Sequence, residues 1–127
     1  MTTCYGADGT PFKAIYAKHA VAEILNPINN YTYDFFKSFF QEIRDVFEDE
    51  YIHLGMDEVY YDCWRSNPDI KQFMIEQNMK DISEVEQYYV KRTLANVKDI
   101  GYKYMTWQVS CLMHIHTHAK RNYTIRQ

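Results

Sequence analysis

Tyr51-Ile52-His53-Leu54-Gly55-Met56-Asp57-Glu58 is the stretch on which the fold turns. Its first four residues, set between acidic residues and a glycine, read as a short strand buried on both sides, as parallel strands are. In a pleat Ile52, Leu54 and Met56 share one face, suited to packing under helices, and His53, Gly55 and Asp57 share the other. Enzymes with parallel strands place their chemistry at the carboxyl ends of those strands, where Asp57 and Glu58 fall. Adjacent like charges raise at least one pKa, and burial raises it further, which is what a general acid needs. A solvated acidic pair opening a loop is the competing reading. Regular alternation sends Asp57 and Glu58 to opposite faces, so both reach one pocket only if the backbone leaves strand geometry. Glycine usually permits that, whereas a non-glycine residue at positive φ costs about 1–2 kcal/mol.

Upstream, Phe36, Phe39, Phe40, Ile43, Val46 and Phe47 recur every three or four positions, predicting a helix over 33–48 with one buried stripe and Thr32 or Asn30 as its cap. Residues 5–30 read as a long loop with one weakly amphipathic helical segment. Downstream of an aromatic loop, Ser66-Asn67-Pro68 announces a helix with Asn67 as cap and Pro68 in the first turn. Ser83-Glu84-Val85-Glu86 matches a capping box, and Gly101 ends that second stripe. Tyr104-Met105-Thr106-Trp107 reads as another strand. Helix, strand, helices, strand is βαβ logic with a parallel sheet. A complete (β/α)₈ barrel takes about 250 residues, so 127 residues hold a part of one.

The chain is 46% hydrophobic and 24% charged, which excludes disorder, and its net charge of −3 argues against a nucleic-acid partner. No apolar run approaches the roughly 18 residues of a membrane span. Asp8, Lys13, Lys18 and His19 interrupt any signal-peptide apolar core within residues 1–20. Cys4, Cys63 and Cys111 lack zinc spacing, and one bridge with one spare thiol is open to them in an oxidising compartment. Asn30-Tyr31-Thr32 and Asn122-Tyr123-Thr124 are glycosylation sequons, each weak alone. No P-loop or dinucleotide fingerprint is present.

Tyr51–Val59 followed by Cys63-Trp64-Arg65-Ser66-Asn67-Pro68 resembles the β-N-acetylhexosaminidases of glycoside hydrolase family 20. The preceding helix and the Tyr104–Gln108 strand match in order and spacing, and Thr2–Tyr5 is similar to the end of an earlier barrel strand there. The resemblance implies an α/β fold, a partial (β/α)₈ TIM barrel covering roughly the third to fifth βα units, with residues 1–108 in the catalytic domain. It implies hydrolysis of terminal N-acetylglucosamine or N-acetylgalactosamine from glycans by substrate-assisted retention, without cofactor or metal. Glu58 then resembles the acid/base, and Asp57 the carboxylate that holds the 2-acetamido group while its carbonyl attacks the anomeric carbon. The family commonly has glycine where this chain has Met56.

Trp107 resembles the wall of the sugar pocket, although its pattern alone also suits a core tryptophan. His53 either orients Asp57 or is a structural histidine, and Trp64 reads as packing beside a loop. Cys4 and Cys63 match a family disulfide that would pin the pocket rim, and Asn30 matches a family glycosylation position. A lysosomal or secreted location follows by the same resemblance, as does a homo- or heterodimer in the full-length protein.

After Gln108 the resemblance stops, and residues 109–127 read as a divergent tail. His114, His116 and His118 would share a strand face and could bind a metal there, or else belong to an exposed tail with no site. With other barrel strands missing, these 127 residues are expected to hydrolyse poorly or not at all. The alternative is a truncated product that only binds a glycan or a partner.

Overall fold

The computed structural model describes residues 1–12, 24–57, 59 and 61–107. Its elements run β1 (Cys4–Tyr5), β2 (Pro11–Phe12), α1 (Asn30–Val46), β3 (Tyr51–His53), α2 (Tyr61–Ser66), α3 (Pro68–Glu76), α4 (Ile82–Asp99) and β4 (Lys103–Met105). β3 and β4 pair in parallel, with Tyr51 opposite Lys103 and His53 opposite Met105, so the βα…β crossover read from the sequence is present.

Helix boundaries follow local chemistry. Asn67 Oδ1 accepts from the backbone N–H groups of Asp69 and Ile70, and Pro68 starts α3 as expected. α1 is capped by Asn29, whose side chain accepts from Tyr31 N–H, and not by Asn30 or Thr32. Thr32 is turned inward, where its hydroxyl donates to the Asn26 carbonyl. The cap of α4, Asp81, lies two residues before the Ser83 box. Asp81 accepts from Ser83 N–H and Glu84 reaches back to Asp81 N–H, because the earlier start brings Ile82 into the core. At the far end Gly101, at φ +84°, closes α4 with Tyr102 N–H donating to the Val97 carbonyl.

α1 and α4 lie side by side over one face of the β3–β4 pair. Phe40, Val97 and Tyr102 are buried there, with Phe36, Ile43, Ile52 and Leu54 packed around them. Val90 and Leu94 form a neighbouring cluster against Leu54, Met56 and Tyr89. The Arg92 guanidinium lies 3.8 Å from the centre of the Tyr33 ring and donates to Asn30 Oδ1 and Tyr88 Oη, tying the two helices together. Burial pushes the Tyr33 phenol above its ordinary pKa, with Arg92 opposing. A second centre joins Trp64, Ile70, Ile82 and Val85, where the Trp64 indole N–H donates to the Leu25 carbonyl.

Four expectations are corrected. The α1 stripe is narrower than its periodicity, since Phe36, Phe40 and Ile43 turn inward while Phe39, Val46 and Phe47 are exposed. One helix and a two-stranded sheet cannot cover so wide an arc. β3 is covered on one face only, with Tyr51 and His53 exposed on the other. β1 does not join the parallel sheet and instead pairs antiparallel with β2. The aromatic segment after Val59 contains a helix, α2, in which Cys63 and Trp64 are buried. The helical segment expected around residues 13–23 lies outside the described residues, as do Gln108 and the 109–127 tail with its three histidines.

Candidate active site

β3 delivers the site, and the two residues after it decide its shape. Gly55 and Met56 both take left-handed backbone angles, at φ +66° and +71°. The strand thus ends in the departure from pleated geometry that a convergent acidic pair demands. Gly55 adopts that angle freely, while Met56 does so against a steric cost of about 1–2 kcal/mol.

Gly55 is the hub. Its N–H donates to His53 Nδ1 at 3.1 Å, and its carbonyl accepts from Trp107 N–H at 3.0 Å. A Cβ placed on Gly55 would lie 3.7 Å from Asp57 Oδ1, so the Asp57 carboxylate folds back over the same residue. The His53 and Trp107 rings are 4.8 Å apart between centroids and inclined at 59°. His53, Asp57 and Trp107, from two strand ends, therefore gather around one backbone unit.

The His53 ring is thus held against the Gly55 backbone at the end of β3.

Trp107 is 58% exposed, against 3% for Trp64. Trp107 thus lies at the surface of this chain, beside the His53 ring. Trp64 packs as expected, within a helix instead of beside a loop. Asp57 is exposed. Glu58, the expected acid/base, lies outside the described residues. Among the described residues no group of His, Cys, Asp and Glu could hold a metal ion.

The N-terminal hairpin is tied to the segment around α2. Cys4 and Cys63 are joined by a disulfide, with Cα atoms 4.7 Å apart, linking β1 to α2. Both cysteines are buried beside Ile24. Ser66 Oγ accepts from Tyr5 N–H and Asn67 Nδ2 donates to the Thr3 carbonyl, so the C-W-x-S-N-P segment holds the N-terminal hairpin by three links. Asn30 is exposed in the first turn of α1, its carboxamide oxygen accepting from Arg92. At the opposite end of the parallel pair, a hydrogen bond from Lys103 at 2.6 Å holds the Glu50 carboxyl below its usual range.

Residues 3–127 match the sequence profile of the glycosyl hydrolase family 20 catalytic domain. The chain belongs to glycoside hydrolase family 20. The matched span passes Gln108 and runs to residue 127. The family 20 chain is 40% identical over 108 residues to the beta-hexosaminidase subunit alpha of Rattus norvegicus, covering 85% of this chain and 19% of that protein. It is 41% identical over 85 residues to the beta-hexosaminidase subunit beta of Homo sapiens, covering 66% of this chain and 15% of that one. Among solved structures it resembles the family 20 exo-β-N-acetylglucosaminidase of Vibrio harveyi. The TM-score there is 0.64 at 22% identity, over 80% of this chain and 15% of that one. The family 20 chain thus spans less than a fifth of the length of these relatives.

The geometry missed from the sequence is the role of Gly55 as a shared backbone anchor. The H-x-G spacing was its available signal, since a histidine two residues before a glycine can reach that glycine's N–H.

Proposed function

We propose that this chain carries the acid/base corner of a β-N-acetylhexosaminidase site, acting on terminal N-acetylglucosamine or N-acetylgalactosamine in glycans. The observation that carries the reading is the left-handed pair Gly55–Met56 in a family 20 chain, with Asp57 folded back over Gly55, the residue that also bonds His53 and the Trp107 N–H. In this reading the segment corresponds to roughly the third to fifth βα units of a (β/α)₈ barrel. Residues 1–108 belong to that domain, with 109–127 as a divergent C-terminal tail.

Hydrolysis proceeds with the substrate's own 2-acetamido oxygen as nucleophile. Glu58 protonates the glycosidic oxygen as the bond to the anomeric carbon breaks, and later removes a proton from the attacking water. Asp57 accepts from the acetamido N–H and stabilises the positive charge that develops on the amide as the oxazolinium forms. Trp107 offers its indole face to the pyranose C–H surface. The Cys4–Cys63 bridge holds the rim of this pocket, and Asn30 bears an N-linked glycan. The bridge supports a lysosomal or secreted location. No described helix is long and apolar enough to cross a membrane. A homo- or heterodimer of the full-length protein belongs to the same proposal.

A second reading, a glycan- or partner-binding remnant without turnover, draws support from the uncovered outer face of β3 and the open Trp107. An aryl N-acetyl-β-glucosaminide assay separates the two. Turnover lost in Glu58→Gln and reduced in Asp57→Asn supports the glycosidase. Absent turnover with N-acetylglucosamine binding that weakens in Trp107→Ala supports the remnant, and neither turnover nor binding defeats both.

A further inference from the structure

The side chain of Met56 stands apart from the polar groups around it. It follows Gly55 in the left-handed turn at φ +71°, yet it packs with Leu54 and Tyr89 against Val90 and Leu94 of α4. A β-strand residue left to itself would relax to negative φ and swing the next residue to the other face. Something holds the turn, and the backbone bonds of Gly55 to His53 and Trp107 fix only its first residue. Met56 is the residue of the turn with a grip on the core.

We infer that Met56 is a positioning residue: its side chain, anchored on Val90 and Leu94, locks the turn in its left-handed form and so aims Asp57 at the face shared by His53 and Trp107. A glycine in this place tolerates the turn, whereas methionine fastens it. Its unbranched, polarisable chain suits this use, because it reaches the α4 cluster without a branch at Cβ to collide with the turn. The inference rests on the glycosidase reading only for what Asp57 is aimed at, the acetamido group.

Amide hydrogen exchange on the chain and on Met56→Leu, Met56→Ala and Met56→Gln tests it. The Gly55 and Trp107 amides report the turn, and the Val90 and Leu94 amides report α4. Ala and Gln, which remove the apolar grip in different ways, are expected to lose about ten-fold protection or more at Gly55 and Trp107 with α4 unchanged. Leu is expected to keep it. Equal protection in all four proteins overturns the inference, as does a loss in Leu as large as in Ala.

In the unsubstituted chain, nuclear Overhauser contacts from the Met56 methyl to Val90 and Leu94 are expected, with a strong intraresidue Hα–HN contact. Their absence overturns the inference however the variants fold. None of these measurements involves substrate, so failure of the glycosidase reading appears only in the Glu58→Gln assay and leaves the exchange result standing.

Discussion

At position 67 one carboxamide serves both of its ends. Its oxygen caps α3 through two backbone N–H groups, and its nitrogen donates to the Thr3 carbonyl 64 residues away. Asn67→Ala removes a cap, a loss of about 1 kcal/mol, and breaks the hydrogen bond to Thr3, a net loss of about 1 kcal/mol more. A urea melt is expected to fall by about 2 kcal/mol in total. Asn67→Asp keeps the cap but points a carboxylate oxygen at Thr3, so its loss should come mainly from that side. The cap was legible in the sequence because it is local, whereas the bond to Thr3 was not, since nothing near Asn67 names its distant acceptor. The same division holds at the candidate site. Alternation alone showed that Asp57 and Glu58 need a break before them, and Met56 φ +71° is that break. The exposure of Trp107 depends on which elements cover it, and pattern could not supply that.

Helix α4 shows how two good signals compete. Asp81 with Glu84, and Ser83 with Glu86, both fit the capping-box spacing. The first prevails because it makes Ile82 helical and buried, and because Glu86 is then turned inward to accept from the Tyr61 hydroxyl. Hydrogen bonds from the Ser83 hydroxyl and N–H hold the Asp81 carboxyl below its usual range. A depressed carboxyl binds its proton less readily in the folded chain than in the unfolded one. Its contribution is therefore complete above the unfolded value near pH 4 and vanishes as pH falls through the folded value. Thermal melts of the parent and Asp81→Asn are expected to differ in slope against pH in that acid window and to run parallel above it. At the other end, Gly101→Ala places its Cβ 4.0 Å from Arg44 Nη2, so space is available and the penalty is conformational. With φ at +84°, an unfolding free energy about 1–2 kcal/mol lower is expected from denaturant titration. α2 escaped the sequence reading because six residues with mixed aromatic and charged side chains hold too little periodicity to separate helix from loop.

Over the whole molecule, the Cys4–Cys63 bond closes the chain on itself across 59 positions. In the chain-entropy view a ring of that length removes about 4 kcal/mol of disorder from the unfolded state. That is a large part of the 5–15 kcal/mol by which domains are typically stable. Reduction, or Cys4→Ala with Cys63→Ala, should lower the urea midpoint markedly with the α1–α4 core losing least, as read by exchange on each element. Each strand and helix around the parallel pair was foreseeable from its local pattern, and the distant pairing of Tyr51 with Lys103 followed from βαβ logic. The β1–β2 hairpin was not, since its partners meet through a turn whose Gly6 and Gly9 resembled ordinary loop punctuation.

The outward side of α1 bears on how the protein should be handled. Phe35 and Phe39 lie stacked in solvent, 5.9 Å between ring centres, with Val46 and Phe47 also open near the end of the helix. Environment-sensitive dyes such as anilinonaphthalene sulfonate will fluoresce on the native chain before any heating begins. A dye-based melting scan would therefore start bright and flatten, and far-ultraviolet circular dichroism is the sounder gauge of its unfolding.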